Sequence, residues 1–174
     1  KALLYYKLSS KQNNSNASLI LGKIYYEGIY IKRDIDKSIY YFTISSDQNN
    51  QFAQLSLGII YYSGNFIKRD INKSIYYFNL SAKQNNSTAQ QYLGEIYYSG
   101  NFIKREIVRS IHYLKLSAEQ NSSNAQYLLG MIYYSGKYIK GDINQSLHYL
   151  YLSSDQNNSN AQYLLGKIYY ESKF

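Results

Sequence analysis

Two histidines, His112 and His148, are the first candidates for chemistry in this chain of 174 residues, because histidine exchanges protons near neutral pH. They lie 36 residues apart, at positions where earlier copies of the same pattern have Tyr40 and Tyr76. Equivalent positions on stacked helix pairs are held roughly 10 Å apart or more, whereas metal ligands converge within about 2.0–2.6 Å of one ion. We therefore interpret both histidines as replacements of tyrosine and expect no metal site.

The acidic residues and glycines do not form a catalytic arrangement either. Four acids recur at one position of the pattern and are interpreted as helix caps: Asp34, Asp70, Glu106 and Asp142. The repeated Gly-x-x-x-x-Gly spacing lacks the Lys-Ser/Thr of a phosphate-binding loop. The chain has no cysteine, which removes thiol nucleophiles, thiolate metal sites and disulfides. We predict no enzymatic activity and no cofactor.

All of these residues are positioned by a repeat of 36 residues. Five glycines mark it, together with alanines and tyrosine pairs in the same register: Gly22, Gly58, Gly94, Gly130 and Gly166. A fixed period in this range is typical of stacked arrays, in which each unit buries its apolar face only against its neighbours. Such an architecture favours binding over catalysis.

One unit, residues 124–159, predicts two helices. Asn124 is the candidate N-cap of the first, helix A, and Gly136 is the left-handed residue that ends it. Asp142 caps the second, helix B, which we expect at 143–156 before an asparagine-rich turn. A glycine inside helix A costs roughly 1 kcal/mol relative to alanine, so its recurrence predicts close contact with a neighbouring helix.

These units together predict an all-α fold, an α-solenoid (superhelix) of stacked antiparallel helix pairs with about ten helices. We expect a helix B at 1–11 and a last helix A at 160–172. Between them lie four repeats, at 16–51, 52–87, 88–123 and 124–159. Because apolar residues such as Leu3 and Ile168 would lie on bare terminal faces, we expect the array to continue beyond this chain.

The motif Ala-Gln-x-x-Leu-Gly-x-x-Tyr-x-x-Gly occurs at 53–64, 89–100 and 125–136. After the last of these come Ile-Lys-x-Asp-Ile-x-x-Ser and Leu-Ser-Ser-x-Gln-Asn. This pattern resembles the Sel-one-like repeat (SLR) family, relatives of the tetratricopeptide repeat, over the whole chain. The resemblance implies a non-catalytic scaffold or adaptor that assembles protein complexes. The chain departs from the family where helix B has serine for alanine, as at Ser110, and where asparagine replaces the following glycine, as at Asn121.

The copies differ most at two positions, four residues apart, on the outward side of helix A. We call this set the variable stripe: Leu19/Lys23, Leu55/Ile59, Gln91/Glu95, Tyr127/Met131 and Tyr163/Lys167. Because the A helices of helix-pair solenoids line the concave surface, we predict that the variable stripe is the floor of a groove that binds a protein partner. Apolar residues at such positions mark interaction sites, and drift at unconstrained positions is the alternative.

A second candidate surface is basic. The net charge is +8, and seven cations recur in the loop between helices A and B, which we call the basic ridge: Lys32, Arg33, Lys68, Arg69, Lys104, Arg105 and Lys140. Such a ridge suits an acidic protein, a lipid head group or a nucleic acid, whereas solubility alone also requires a charged edge. We do not expect nucleic acid, because no fingerprint of an RNA reader is present. A purely structural role in a large assembly is a further alternative.

The recurrent tyrosines are predicted to pack in the core rather than to stack on bases. They keep their identity while surface positions vary: Tyr25, Tyr61, Tyr97, Tyr133 and Tyr169. The chain contains no run of about 18 apolar residues, so the sequence predicts no membrane span. The lack of cysteine fits a reducing compartment, so we expect a cytoplasmic location; a luminal one stays open because the chain begins at Lys1.

Overall fold

The computed structural model describes residues 1–171, and over this range all of the regular structure is helical. These residues form ten helices: α1 Ala2–Lys11, α2 Ser15–Glu27, α3 Ile35–Asp47, α4 Gln51–Ser63, α5 Ile71–Lys83, α6 Ser87–Ser99, α7 Ile107–Glu119, α8 Ser123–Ser135, α9 Ile143–Ser154 and α10 Ser159–Glu171. Even-numbered helices are A helices and odd-numbered helices are B helices. The last predicted helix extended to Ser172, which lies outside the described residues.

The chain forms two compact units, Lys1–Ala89 and Gln90–Phe174. In the first unit α2 packs against α3 and α4 against α5, while α1 and α3 also pack against the A helix that follows each of them. In the second unit α8 packs against α9, and α7 and α9 pack against the next A helix in the same way. Contacts of α2 with α4 and of α8 with α10 place these A helices side by side within each unit.

A glycine in each internal A helix lets the B helix of the same repeat approach its backbone. A Cβ built on Gly58 would lie 2.5 Å from the ring of Phe78, and one on Gly94 would lie 2.6 Å from the side chain of Leu114. Phe78 and Leu114 are fully buried. The same arrangement recurs at Gly22 with Phe42 and at Gly130 with Leu150. The predicted close contact is therefore confirmed for these four glycines.

The serine that replaces alanine in helix B binds the carbonyl of that glycine. Ser74 Oγ donates to the oxygen of Gly58 at 2.9 Å, and Ser110 Oγ donates to the oxygen of Gly94 at 2.8 Å. The same bond is made by Ser38 and Ser146. Because a buried hydroxyl with a partner avoids the cost of burying an unsatisfied polar group, serine is accommodated in a position that is otherwise apolar.

The caps of the B helices follow the prediction in three repeats. Three aspartates accept a hydrogen bond from the backbone N–H three residues ahead, each at 3.0 Å: Asp34, Asp70 and Asp142. Glu106 occupies the same position but caps nothing, so the prediction is wrong there. Its side chain is one methylene longer and pairs with Arg109 at 3.1 Å instead.

The predicted N-cap of helix A in the fourth repeat, Asn124, is also wrong. Ser122 caps α8, and its Oγ accepts from the N–H of Ala125 at 3.4 Å. The reason is the preceding turn: Asn121 has a φ of 66°, so the left-handed turn is complete and the helix starts directly afterwards. Positive φ values at all five asparagines that follow a B helix confirm that asparagine replaces glycine there.

In the first four tyrosine pairs, the first tyrosine packs flat against a tyrosine of helix B. The rings of Tyr61 and Tyr77 lie 5.9 Å apart at 4°, and those of Tyr97 and Tyr113 lie 6.0 Å apart at 8°. Tyr97 is only 6% exposed. The predicted core role fails for Tyr169, which is 44% exposed, because within residues 1–171 no B helix covers the outer face of α10.

Candidate protein-binding groove on the A helices

In the first unit, the variable stripe presents an apolar pair and a cation. Leu55 and Ile59 are half-buried on α4, and Lys23 is exposed on α2. Leu19 is buried in an apolar cluster with Leu57, so it contributes little surface. The accessible part of the stripe in this unit is therefore formed by three side chains.

A cavity of about 140 Å³ opens at this part of the stripe. Residues from α2, α3 and α4 line it: Lys23, Tyr26, Glu27, Phe42, Ser56, Ile59 and Ile60. Aromatic and aliphatic side chains supply most of the lining, and two oppositely charged side chains, Lys23 and Glu27, border it. An engineered protein cavity of roughly 150 Å³ holds benzene, so this volume is sufficient for one bulky apolar side chain.

In the second unit, the stripe changes from half-buried to exposed along the chain. Tyr127 and Met131 of α8 are half-buried and pack against a cluster that includes Leu150. Tyr163 of α10 is 76% exposed, and Lys167 is also exposed. The apolar members of the stripe in this unit thus combine a packing contact with a surface that solvent reaches.

Gln91 and Glu95 form a polar part of the stripe on α6. Gln91 Nε2 donates to Glu95 Oε1 at 2.8 Å, and Ser122 Oγ donates to Gln91 Oε1 at 2.9 Å. Burial raises the pKa of the Glu95 carboxyl above its ordinary value, and the hydrogen bond from Gln91 opposes this only in part. In the part of the chain that the structure describes, Glu95 forms no ion pair.

The arginines of the basic ridge bind the ends of A helices. Arg33 donates to two carbonyl oxygens at the end of α2, at 2.8 and 3.2 Å, and its guanidinium lies 4.6 Å from the centre of the Phe66 ring. Arg105 likewise donates to the end of α6 and lies 4.2 Å from the ring of Tyr138. Arg69 donates to the end of α4 at 3.1 Å. Helix capping and stacking on an aromatic ring thus account for the recurrence of arginine.

The lysines of the basic ridge are all exposed: Lys32, Lys68, Lys104 and Lys140. In the fourth repeat Gly141 stands where the other three have arginine, and it packs within 3.4 Å of a Cβ built on Gly136. The ridge therefore consists of two kinds of cation, one bound to helix ends and one directed to solvent.

The histidines lie exposed on the B helices. His112 and His148 each contact, edge-on, the tyrosine that follows them, at 5.3 and 5.1 Å. Tyr40 and Tyr76 make the same contact in the first unit. Each histidine thus occupies the position that tyrosine has in the first unit and makes the same edge-on contact with the tyrosine that follows it. Among residues 1–171, no group of three or more potential ligands could hold a metal ion.

The repeat geometry is matched by a known family. The model of the Sel1 repeat matches five consecutive segments: residues 15–50, 51–86, 87–122, 123–158 and 159–173. The chain belongs to the Sel1 repeat family. Its fold is an all-α solenoid of helical repeats, as the sequence predicted, and Sel1 repeats are generally scaffolds for protein–protein interaction.

Solved structures of Sel1 repeat proteins share this fold. A protective antigen of uropathogenic Escherichia coli with an SLR fold is 25% identical, with a TM-score of 0.93 over 98% of this chain and 36% of that protein. A Sel1 repeat protein from Oxalobacter formigenes is 29% identical, with a TM-score of 0.84 over 96% of this chain and 68% of that one. Cysteine-rich protein B of Helicobacter pylori, at 21% identity and a TM-score of 0.58, covers 79% of this chain and 98% of its own.

The chain therefore spans about a third of the length of the Escherichia coli antigen. No curated protein matches its sequence. Among the described helices, none combines the length and the apolar character that crossing a membrane requires.

Proposed function

We propose that this Sel1 repeat chain is a non-catalytic scaffold that binds a partner protein, as an extended peptide or a helix, in a concave groove lined by its A helices. The observation that carries the proposal is the apolar cavity of about 140 Å³ at Lys23 and Ile59. Binding pockets combine apolar walls with a few polar groups at their border, and this cavity has both. It would receive one bulky apolar side chain of the partner as an anchor.

The contrast between neighbouring positions of α4 supports this proposal. Leu57 and Gly58 are buried against the rest of the first unit, so packing explains their identity. Ile59 lies half-buried and borders open space, where stability alone would permit a polar residue. An apolar side chain in such a position is favoured when a partner covers it.

The basic ridge is less well supported as the binding surface. Three of its seven members, Arg33, Arg69 and Arg105, already hydrogen-bond the carbonyl groups at helix ends. Their conservation between repeats needs no external anion to explain it. Binding to RNA, DNA or acidic vesicles at low salt, with a steep loss as salt rises, is the result that would favour the ridge instead.

The test compares capture of partner proteins by the wild-type chain and by Ile59→Ser. We expect the variant to remain helical and to lose the partner, because a polar residue now borders the anchoring cavity. The matched control is Tyr76→Ser, which removes a large exposed side chain from a B helix of the same unit. If the folded Ile59→Ser chain captures the same protein as well as the control does, the groove assignment fails.

A combined variant extends this test to both units. It replaces the four half-buried apolar members of the stripe with serine: Leu55, Ile59, Tyr127 and Met131. We expect complete loss of the partner from a chain whose circular dichroism is still helical. Undiminished capture by this folded variant would contradict the proposal for the A helices of both units.

A further inference from the structure

Glu95 is the one acidic residue among the ten positions of the variable stripe. We propose that Glu95, oriented by Gln91, is a receptor for a lysine or arginine side chain of the partner protein. This inference rests on the proposed function and adds a chemical requirement for the partner: a cationic side chain that reaches the stripe on α6.

The carboxylate is held in place before any partner binds. Ser122 donates to Gln91 at 2.9 Å, and Gln91 donates to Glu95 Oε1 at 2.8 Å, so two side chains from α6 and from the turn before α8 form a hydrogen-bonded chain. Ser122 donates to Gln91, and Gln91 donates to Glu95, so the hydrogen bonds all run towards the carboxylate and orient it. Both donors are neutral, so they supply no positive charge. Receptor groups bind more tightly when they are oriented in advance, because less conformational entropy is lost on binding.

The second oxygen of Glu95 is available to a ligand. Within residues 1–171 it accepts no hydrogen bond, and no buried side-chain oxygen or nitrogen of this range lacks a partner. Glu95 Oε2 is therefore reached from outside although most of the side chain is enclosed. A partner ammonium or guanidinium would meet an ionised oxygen in a poorly solvated place, where charge-assisted hydrogen bonds are strongest.

Fold stability does not explain an acid at this position. The equivalent residues in the other repeats are lysine or apolar: Lys23, Ile59, Met131 and Lys167. Enclosing a carboxylate without a cation is unfavourable, and burial accordingly raises the pKa of Glu95. A glutamine would keep the hydrogen bonds at lower cost. An incoming cation offsets this cost, so the acid is explained by a ligand rather than by the free chain.

Net charge cannot account for recognition of a basic partner segment. The chain carries +8, which repels cations overall, so attraction to this place must be local. A basic residue directed to Glu95 therefore fixes the register of the partner segment on the second unit. Its contribution to affinity follows from one charge-assisted hydrogen bond, roughly 10- to 100-fold in the dissociation constant.

The experiment uses phage-displayed random peptides of about a dozen residues, selected on the whole wild-type chain. We expect the enriched peptides to share a lysine or arginine at one position. Synthetic versions of these peptides should bind Glu95→Gln about 10- to 100-fold more weakly. Replacing the shared lysine with norleucine, or the shared arginine with citrulline, should reduce binding to wild type by a similar factor and leave binding to Glu95→Gln nearly unchanged.

The matched control is Glu119→Gln, which removes one exposed acid from a B helix of the same unit and alters net charge identically. It should bind the peptides as wild type does. Peptides without a shared basic residue, or equal binding by Glu95→Gln and wild type, would overturn the inference. If, in either of these cases, the selected peptides bind Ile59→Ser or Met131→Ser more weakly than wild type, the groove assignment is retained and only the role of Glu95 as a receptor is wrong. If none of these stripe variants changes binding, the proposed function fails as well.

Discussion

Replacing Gly94 with alanine should destabilise the chain, although alanine is the better helix former. The site lies in the middle of α6, where the B helix of the same repeat packs directly on the glycine. Gly166 occupies the equivalent position of α10 and is exposed, with no described atom within 4 Å of a Cβ built on it. The two substitutions are chemically identical and differ only in what surrounds them.

The magnitude follows from the contacts of Gly94. A Cβ there would lie 2.6 Å from Leu114 Cγ and Cδ2 and 3.4 Å from the Leu114 backbone nitrogen. Leu114 is fully buried and cannot move aside, and overpacking of this kind costs about 1–3 kcal/mol. Separating the helices also weakens the 2.8 Å bond from Ser110 to the Gly94 oxygen, worth about 0.5–1.5 kcal/mol. Alanine recovers about 1 kcal/mol of helix propensity, so the net loss is about 0.5–3.5 kcal/mol.

Urea unfolding followed by circular dichroism measures both free energies in the 174-residue chain. We expect Gly94→Ala to lower the free energy of unfolding and Gly166→Ala to raise it by up to about 1 kcal/mol. Equal stabilisation by both substitutions would refute the packing argument. In a longer protein whose next B helix covers α10, Gly166→Ala should instead destabilise.

Three further predictions concern the polar contacts. Ser110→Ala should lower the free energy of unfolding by about 1–2 kcal/mol in urea titrations, because the hydroxyl bound to a buried carbonyl is lost. Arg105→Ala should lower it by about 1 kcal/mol through loss of the helix-end bonds and ring stacking, whereas Lys104→Ala should change it by less than about 0.5 kcal/mol. Burial raises the pKa of Glu95 in the folded chain above its ordinary value, so stability that is present below the unfolded pKa is lost as the pH rises through the folded pKa. Glu95→Gln should therefore unfold at a higher urea concentration than wild type at about pH 7 and at a similar one near pH 4, and an advantage of equal size at both pH values would contradict this.

The fold could be predicted from the sequence because the same pattern occurs five times. A residue that is ambiguous in one copy becomes informative when it recurs at the same position in the others. A single glycine in a helix is uninformative, but glycines 36 residues apart, such as Gly58 and Gly94, require a shared reason, and the structure shows it in Phe78 and Leu114. Asparagine after each B helix was predictable on the same ground, since it tolerates a left-handed backbone.

Helix starts were less predictable, because several residues in a row can cap. Ser122 and Asn124 are both good N-caps, and only the position of the left-handed residue before them decides which one is used. Glu106 failed for a related reason: one additional methylene carries its carboxylate to Arg109 rather than to the backbone.

The properties of the candidate site depend on three-dimensional packing and could be predicted only in part. The spacing of the stripe positions was visible in the sequence, but the depth of the cavity beside Ile59 depends on how α2 and α4 pack. The sequence also could not separate a cation that binds a carbonyl, such as Arg33, from one that faces solvent, such as Lys32. The link from Ser122 through Gln91 to Glu95 joins residues far apart in the chain, and spacing alone did not reveal it.

Site-specific photo-crosslinking in the native cell tests the central claim most directly. A photoreactive amino acid placed at Ile59, beside the cavity on the A-helix face, is compared with one placed at Tyr76, which is 58% exposed on a B helix of the same unit. We predict that the probe at position 59 forms an adduct with a distinct protein and that the probe at position 76 does not. Adducts at position 76 with none at position 59 would contradict a partner-binding surface on the A helices.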